Sequence, residues 1–565
     1  MIPSIQNSLS HSGKSFFLDK KHLIASGDKN LLRVLAGRIC LLPGFHSFIL
    51  EHTNNSESAI LRLETLPFEN EFDEHYQLEI QEERIDIRGS RIGLAHGLTT
   101  LWQIIREQAF ALPSDDVCKL DCILIDDSPQ FHYRGVMLDC SRHFFQISEI
   151  RKILEVKGLL KLNVLHWHLS DDQGYRIESK AFPKLNTIGS YRNEDGALTG
   201  GFYSHIDIQE IVQFASDRGI HIIPEIDMPG HTTAILASYP ELGSDTSGNS
   251  VLEIPSDGGI FRNILCPVKE ETLNFAKSIL DEVCSLFPFS YIHLGGDEAP
   301  KDEWRSSPLC QKKIRELHLP DENSLQIWFV NQLLDYLAHK DRTGIVWLEP
   351  GMTEGYRKNC VFQYWRKEAE QADELEKFLN NGQKTDGSRM IIWSPQDRFY
   401  LDYVPAMNPM EGIFKAVDAL AVHPSLYHHV IGFECPLWTE MIETDSCLEQ
   451  MLFPRLIAEA QIGWDTEADL SYGAFIEEIR NILPLLDVMN VAYWPLDTVD
   501  PEGKEKARQI ISLYLPFFQK KKACLSEEEW IELQKVFSWI LSDRMQKNFP
   551  ANEVSAILDQ LFSIS

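Results

Sequence analysis

Between Tyr133 and about Pro495, short apolar runs alternate with segments whose apolar residues recur every three or four positions. Eight runs stand out: Tyr133–Asp139, Leu162–His168, His221–Ile226, Tyr291–Leu294, Gly344–Trp347, Cys360–Trp365, Met390–Trp393 and Ile431–Cys435. Near-continuous apolar strands separated by amphipathic helices predict a parallel sheet covered on both faces. Eight such units predict an α/β fold, a closed (β/α)8 TIM barrel. The helical pattern is clearest over Ile206–Arg218 and Glu270–Phe287, and the unit after the seventh run is irregular. Ahead of the barrel, strand-like runs at Ser47–His52, Ala59–Glu64, His75–Ile80 and Arg84–Arg88 accompany a helical segment near Gly93–Gln108. They predict a small α+β domain, with Asp126-Asp127-Ser128-Pro129 as its exit linker. Behind the barrel, Lys504–Leu515, Glu527–Asp543 and Asn552–Phe562 read as helices. The chain therefore divides into an N-terminal α+β domain (1–128), a barrel (129–495) and a C-terminal helical extension (496–565). Those last helices either pack on the barrel, the simpler reading, or form an interface such as that of a homodimer.

Composition narrows the function classes. The 565 residues are 44% hydrophobic and 24% charged, as in a folded soluble protein. A net charge of −31 repels phosphate backbones, which argues against nucleic acid as a partner. No run of 18 apolar residues occurs, so no membrane span is expected. The N-terminus lacks the basic start and apolar run of a signal peptide. Eleven cysteines, an odd number with no CxxC spacing, fit free thiols in a reducing compartment. A cytoplasmic location is the resulting expectation.

A barrel of this kind places its chemistry at the C-terminal ends of its strands. Polar and aromatic residues do gather there: Asp139 to His143, His166 to Asp172, Glu225 to His231, and His293 to Glu298. Later strands add Trp347, Trp365, Tyr400 with Asp402, and Trp438 with Glu440. Carboxylates and Arg side chains bind sugar hydroxyls, and flat aromatic rings pack on sugar C–H faces. Glycoside hydrolysis needs a carboxylic acid that protonates the leaving oxygen. The pair Asp297-Glu298 is awkward as an acid and nucleophile facing each other across a bond, because successive strand side chains point to opposite faces. Gly295 and Gly296 permit a sharp bend there. The pair suits two parts of one sugar, with one carboxylate at the leaving oxygen and the other at a substituent beside the anomeric carbon.

These residues resemble the β-N-acetylhexosaminidases of glycoside hydrolase family twenty, over roughly Leu31 to Trp464. The resemblance rests on His293-Leu294-Gly295-Gly296-Asp297-Glu298, Arg134-Gly135 through Asp139 with Arg142-His143, Leu162-Asn163 to Gln173-Gly174, Pro224 to His231, and Gly93 to Gln103. It implies an exo-acting enzyme that removes terminal N-acetylglucosamine or N-acetylgalactosamine from oligosaccharides or glycoconjugates. It further implies retention of configuration and neither metal nor organic cofactor. Glu298 would be the general acid and then the base. The substrate's acetamido oxygen would attack the anomeric carbon, with Asp297 orienting the acetamido N–H. Arg142 would bond the 3- and 4-hydroxyls, Glu440 the 4- or 6-hydroxyl, and Asp402 would lie near the 6-hydroxyl. Tyr400 would donate to the acetamido oxygen, and Trp347, Trp365 and Trp438 would wall the pocket. Asp171, Asp227 and His231 would support the centre. Val346-Trp347-Leu348-Glu349 departs from the family's usual Gly-Trp-Asp-Glu, and Tyr175 stands where Trp is common.

Two other classes compete. A metal-dependent hydrolase would take ligands from His166, His168, His231 and Asp297, but leaves Glu298 and the Trp residues without a role. A non-catalytic sugar-binding protein on the same scaffold would not need every catalytic position filled.

Overall fold

The computed structural model describes residues 1–563 apart from 69, 112–116, 195, 245–251, 353, 368–374, 376–378, 380–388, 421–423 and 467–469. Eight parallel strands close into a barrel in chain order. They are Tyr133–Asp139, Val164–His168, His221–Glu225, Tyr291–His293, Thr343–Trp347, Val361–Tyr364, Ile391–Trp393 and Val430–Leu437, the last pairing with the first. Each matches a predicted run with its ends moved by at most two residues. The two clearest helical patterns fold as His205–Ser216 and Glu270–Leu286.

Alternation along the strands builds the interior in tiers. Val164, Ile223, Ile345, Val361 and Ile392 form an apolar plug at the strands' N-terminal ends. Their neighbours Leu165, Ile222, Ile292, Val346 and Phe362 pack outward in the main core with the surrounding helices. Two residues further along the strands, the inward positions become His166, Glu225, His293, Trp347, Gln363 and Glu434, all buried. The barrel therefore changes from apolar to polar within one pleat, and the site stands on that tier.

The N-terminal sheet is larger than the sequence pattern indicates. Seven strands run in the order Asn7–Asp19, Val117–Asp127, Tyr76–Ile80, Ile85–Gly89, Leu61–Thr65, His22–Ser26 and Ile49–His52. Helices Lys29–Cys40 and Arg91–Ala111 accompany it. Asn7–Asp19 escapes detection because its Ser-rich first part, on an edge strand, gives no apolar run. Asp126 and Asp127 are not linker: they end a paired strand. Asp127 is buried, accepting from Tyr76 Oη at 2.7 Å and from Trp464 Nε1 at 3.1 Å. It ties the sheet to the barrel.

The C-terminal helices are Lys504–Cys524, Glu527–Met545 and Ala551–Phe562. Ile510, Tyr514, Phe518, Leu541, Met545 and Leu561 belong to the same continuous core as the barrel strands. The helices thus pack on the barrel, as the simpler reading expected. No described helix is long and apolar enough to cross a membrane.

Candidate active site

The polar tier is a closed network of carboxylates and imidazoles. Glu225 Oε2 receives His168 Nδ1 at 2.5 Å, and Glu225 Oε1 receives Trp347 Nε1 at 2.7 Å. Glu434 lies 2.9 Å from His166 Nδ1 and also binds Tyr133 and Gln363. Burial alone would raise both carboxyls. Their imidazole partners more than reverse this and hold both below the usual range. The buried carboxylates fix the orientation of His168 and Trp347, whose outer edges face the next tier.

Above it, Arg142 and His231 organise the acids. Arg142 Nη2 lies 2.9 Å from Asp171 Oδ2, and Nη1 lies 3.2 Å from Asp139 Oδ2. Its guanidinium stacks 4.7 Å from the Trp438 ring centroid, and Glu440 is 3.8 Å away. Asp171 also binds His168 Nε2 at 2.8 Å and His231 Nδ1 at 3.2 Å. Burial opposes its charge, but Arg142 and His231 hold the Asp171 carboxyl well below the usual range. Burial likewise pushes His231 down, and Asp171 with Asp172 raises it well above the usual imidazole value. His231 is therefore an imidazolium near neutral pH. Its Nε2 lies 3.9 Å from both Asp297 Oδ2 and Glu298 Oε2.

Asp297 and Glu298, adjacent in sequence, thus converge on one nitrogen. The backbone makes this possible by leaving strand geometry after His293. Gly295 and Gly296 have φ of +64° and +94°, and a Cβ on Gly295 would lie 2.0 Å from Asp227 Oδ1. Glu298 at φ +45° and His231 at φ +52° also occupy the left-handed region, which non-glycine residues adopt at a cost. Such outliers cluster where a site over-determines the chain. Asp227 accepts from Gly296 N–H at 2.9 Å. Burial, then the charge of Asp297, push the Asp227 carboxyl well above its usual range. Burial also raises the Asp297 carboxyl, while His231 and, more weakly, Asp227 lower it. Glu298 is half-buried, and burial raises it as a proton donor requires. His231 opposes that rise and Glu349 adds to it.

Every residue singled out from the sequence lies at this end of the barrel. Trp347 is buried and its ring centroid is 5.9 Å from that of Trp438. Trp365 is buried, with Arg366 stacked 3.8 Å from its ring centroid. Tyr400 is buried, its ring centroid 6.0 Å from that of Tyr403. Asp402 is half-buried, with Oδ1 out of water and unpaired.

Several contributors were not visible as site residues in the chain. Gln173 accepts from Arg142 Nε at 3.2 Å and donates to Asp257 O at 2.7 Å. Glu349 pairs with Arg366 at 3.1 Å and raises Glu298. The position of Glu349 just past strand five was the available signal. Arg366 gave none, since its partner lies 17 residues away.

For the metal-hydrolase alternative, His166 and His168 are committed elsewhere. The two nitrogens of His168 hold Glu225 and Asp171, and those of His166 face Glu434 and Glu225. The set His166, His168, His231 and Asp297 does not converge, whereas Asp227, His231 and Asp297 do.

Residues 131–467 match the family described as glycosyl hydrolase family 20, catalytic domain. A β-hexosaminidase of Porphyromonas gingivalis is 32% identical over 439 residues, 74% of this chain and 54% of that protein. A β-hexosaminidase of Vibrio furnissii is 32% identical over 417 residues, 69% of this chain and 65% of that one. The chain thus spans less than two thirds of either relative. Among solved structures, a GH20 exo-β-N-acetylglucosaminidase from Vibrio harveyi in complex with N-acetylglucosamine superposes with a TM-score of 0.74 at 28% identity. That match covers 88% of this chain and 78% of that one.

Proposed function

The chain belongs to glycosyl hydrolase family 20, and from that premise we propose that it is an exo-acting β-N-acetylhexosaminidase working by a retaining, substrate-assisted mechanism. Its substrates are terminal, non-reducing N-acetylglucosamine or N-acetylgalactosamine residues of oligosaccharides or glycoconjugates. The observation that carries the reading is the convergence of adjacent Asp297 and Glu298 on His231 Nε2, 3.9 Å from each. Two carboxylates on one side of one imidazolium are poorly arranged to attack and protonate opposite faces of a glycosidic bond. They are well arranged to serve a leaving oxygen and the neighbouring acetamido group.

In the first step Glu298 gives its proton to the glycosidic oxygen while the acetamido oxygen displaces it at the anomeric carbon, forming an oxazolinium ion. Asp297 accepts the acetamido N–H and balances its developing charge. His231 is the main charge that favours ionised Asp297 against its burial. Glu298, now a carboxylate, removes a proton from water as it opens the ring, and two displacements at one carbon retain configuration. Arg142 takes the 3- and 4-hydroxyls, Glu440 the 4- or 6-hydroxyl, and Asp402 lies near the 6-hydroxyl. Trp347, Trp365 and Trp438 enclose the acetamido group and the sugar face, with Tyr400 on the acetamido oxygen. None of these steps calls for a metal or an organic cofactor.

Leaving-group dependence tests the assignment of Glu298. Glu298→Gln should lose about a thousandfold in kcat/KM on a disaccharide but far less on an activated aryl glycoside, whose leaving group needs little protonation. Equal losses on both would refute the acid role. Full loss of activity on chelation with recovery on adding a divalent metal would favour the metal-hydrolase reading instead.

A further inference from the structure

The C-terminal helices reach the sugar site. They grip the loop that carries Tyr400 and Asp402: Gln509 accepts from Ala406 N–H at 2.9 Å, Asn548 donates to Met407 O, and Lys547 lies 3.0 Å from Asp397 Oδ2. Into this loop the helix Glu527–Met545 delivers Arg544. Its guanidinium carbon stacks 4.4 Å from the Tyr403 ring centroid, and Nη1 donates to Tyr514 Oη at 3.2 Å. Asp402 is the next residue, with Oδ1 buried and unpaired.

Two cations act on Asp402. Both terminal nitrogens of Arg455 donate to carbonyls, to Tyr403 O at 2.6 Å, Asn408 O at 3.1 Å, Leu401 O at 2.7 Å and Met451 O at 2.8 Å. It pins the loop. Arg544 makes a single hydrogen bond, through Nη1, and stacks on the residue next to Asp402.

We propose that Arg544 is a positioning residue for sugar recognition, its cation stacked on Tyr403 next to Asp402 at the hydroxymethyl end of the bound sugar. The helical extension then helps set recognition at that end of the substrate. This rests on the reading of the pocket as an N-acetylhexosamine site with Asp402 at the 6-hydroxyl. Burial pushes the Asp402 carboxyl up to about 7, against the charge of Arg544. Glu440 raises it further and Arg455 lowers it, and the phenols of Tyr400, Tyr403 and Tyr514 complete its surroundings. Loss of the Arg544 charge would raise this carboxyl further.

The test compares an aryl N-acetyl-β-glucosaminide with its 6-deoxy counterpart, from pH 5 to 9, on wild type, Arg544→Gln, Arg544→Lys and Asp402→Asn. Arg544→Gln should raise KM for the 6-hydroxy substrate about tenfold at pH 6.5 with kcat within about threefold, and cost no more than about threefold on the 6-deoxy substrate. The pH at which KM improves should rise by about one unit, while in Arg544→Lys it should stay within about half a unit of wild type. Asp402→Asn should abolish that pH step. Equal losses on both substrates, or an unmoved pH step in Arg544→Gln, would assign Arg544 to packing alone and overturn the proposal. Should Arg544→Gln not fold, as thermal unfolding would show, Arg544→Lys carries the comparison: a moved pH step there would remove charge as the cause. A wild type that fails on both sugars would instead overturn the reading of the pocket.

Discussion

Replacing Gly295 by alanine isolates the bend on which the catalytic pair depends. At φ +64° the added Cβ would lie 2.0 Å from Asp227 Oδ1 and 2.2 Å from its Cγ. The left-handed backbone itself costs about 1 kcal/mol for alanine. The clash cannot be relieved by a loose chain end, because Asp227 is buried and its Oδ1 accepts from Gly296 N–H at 2.9 Å. Displacing Asp227 leaves the buried Gly296 N–H without its acceptor, a cost of about 2 kcal/mol. Together they amount to about 3 kcal/mol, or roughly a hundredfold in kcat/KM. Gly351 supplies the control, with φ +69° and nothing within 4 Å of its added Cβ. Gly351→Ala should lower the midpoint of thermal unfolding slightly and leave hydrolysis of an aryl N-acetyl-β-glucosaminide within about twofold. The reasoning fails if Gly295→Ala keeps more than about a third of the wild-type kcat/KM, or if both variants lose activity alike.

Three further outcomes follow from the buried charges. Glu74 is buried against Arg134 and His96. Burial opposes its charge, but these partners bring its carboxyl down to about 2 from 4.5. A depressed carboxyl stabilises the fold above the unfolded value and loses that contribution as pH falls from about 4.5 toward 2. Its share is about 3 kcal/mol, so thermal unfolding of Glu74→Gln should start lower at pH 7 and fall less on acidification than wild type. His231→Gln removes the cation that restrains both Asp297 and Glu298, so both limbs of the kcat/KM profile should move to higher pH by about one unit; an unchanged profile would contradict the imidazolium assignment. Trp347→Phe leaves Glu225 Oε1 without its 2.7 Å donor and should destabilise by about 1–3 kcal/mol, read as a lower unfolding midpoint.

The barrel was legible because its strands bury both faces and so read as apolar runs. Even the polar inward residues announced themselves, since Glu225 and His293 end their strands and His166 lies two residues before the end of its own. Strand Val117–Asp127 was overlooked although Cys118, Leu120 and Cys122 alternate with exposed Val117, Lys119 and Asp121. The Asp126-Asp127-Ser128-Pro129 turn signal outweighed the two-residue period beside it. The paired carboxylates were visible as residues, and their geometry was anticipated from the glycines ahead of them. Glu298 and His231 at positive φ were not, because neither residue type reports it. Contacts made across long separations left no local trace: Arg366 on Glu349, and Arg544 on the loop after strand seven, are set by packing alone. The helical extension read as amphipathic helices, with packing on the barrel as the simpler of two readings. A single Arg on one of them gave no hint of reaching a sugar pocket.

The central claim is that the substrate's acetamido group replaces an enzyme nucleophile. Initial rates of aryl alcohol release from an aryl N-acetyl-β-glucosaminide and from the matching aryl β-glucoside test it most directly. The account predicts rapid release from the first and a kcat/KM at least about a thousandfold lower for the second, which lacks the attacking oxygen. Comparable rates on the two would contradict it.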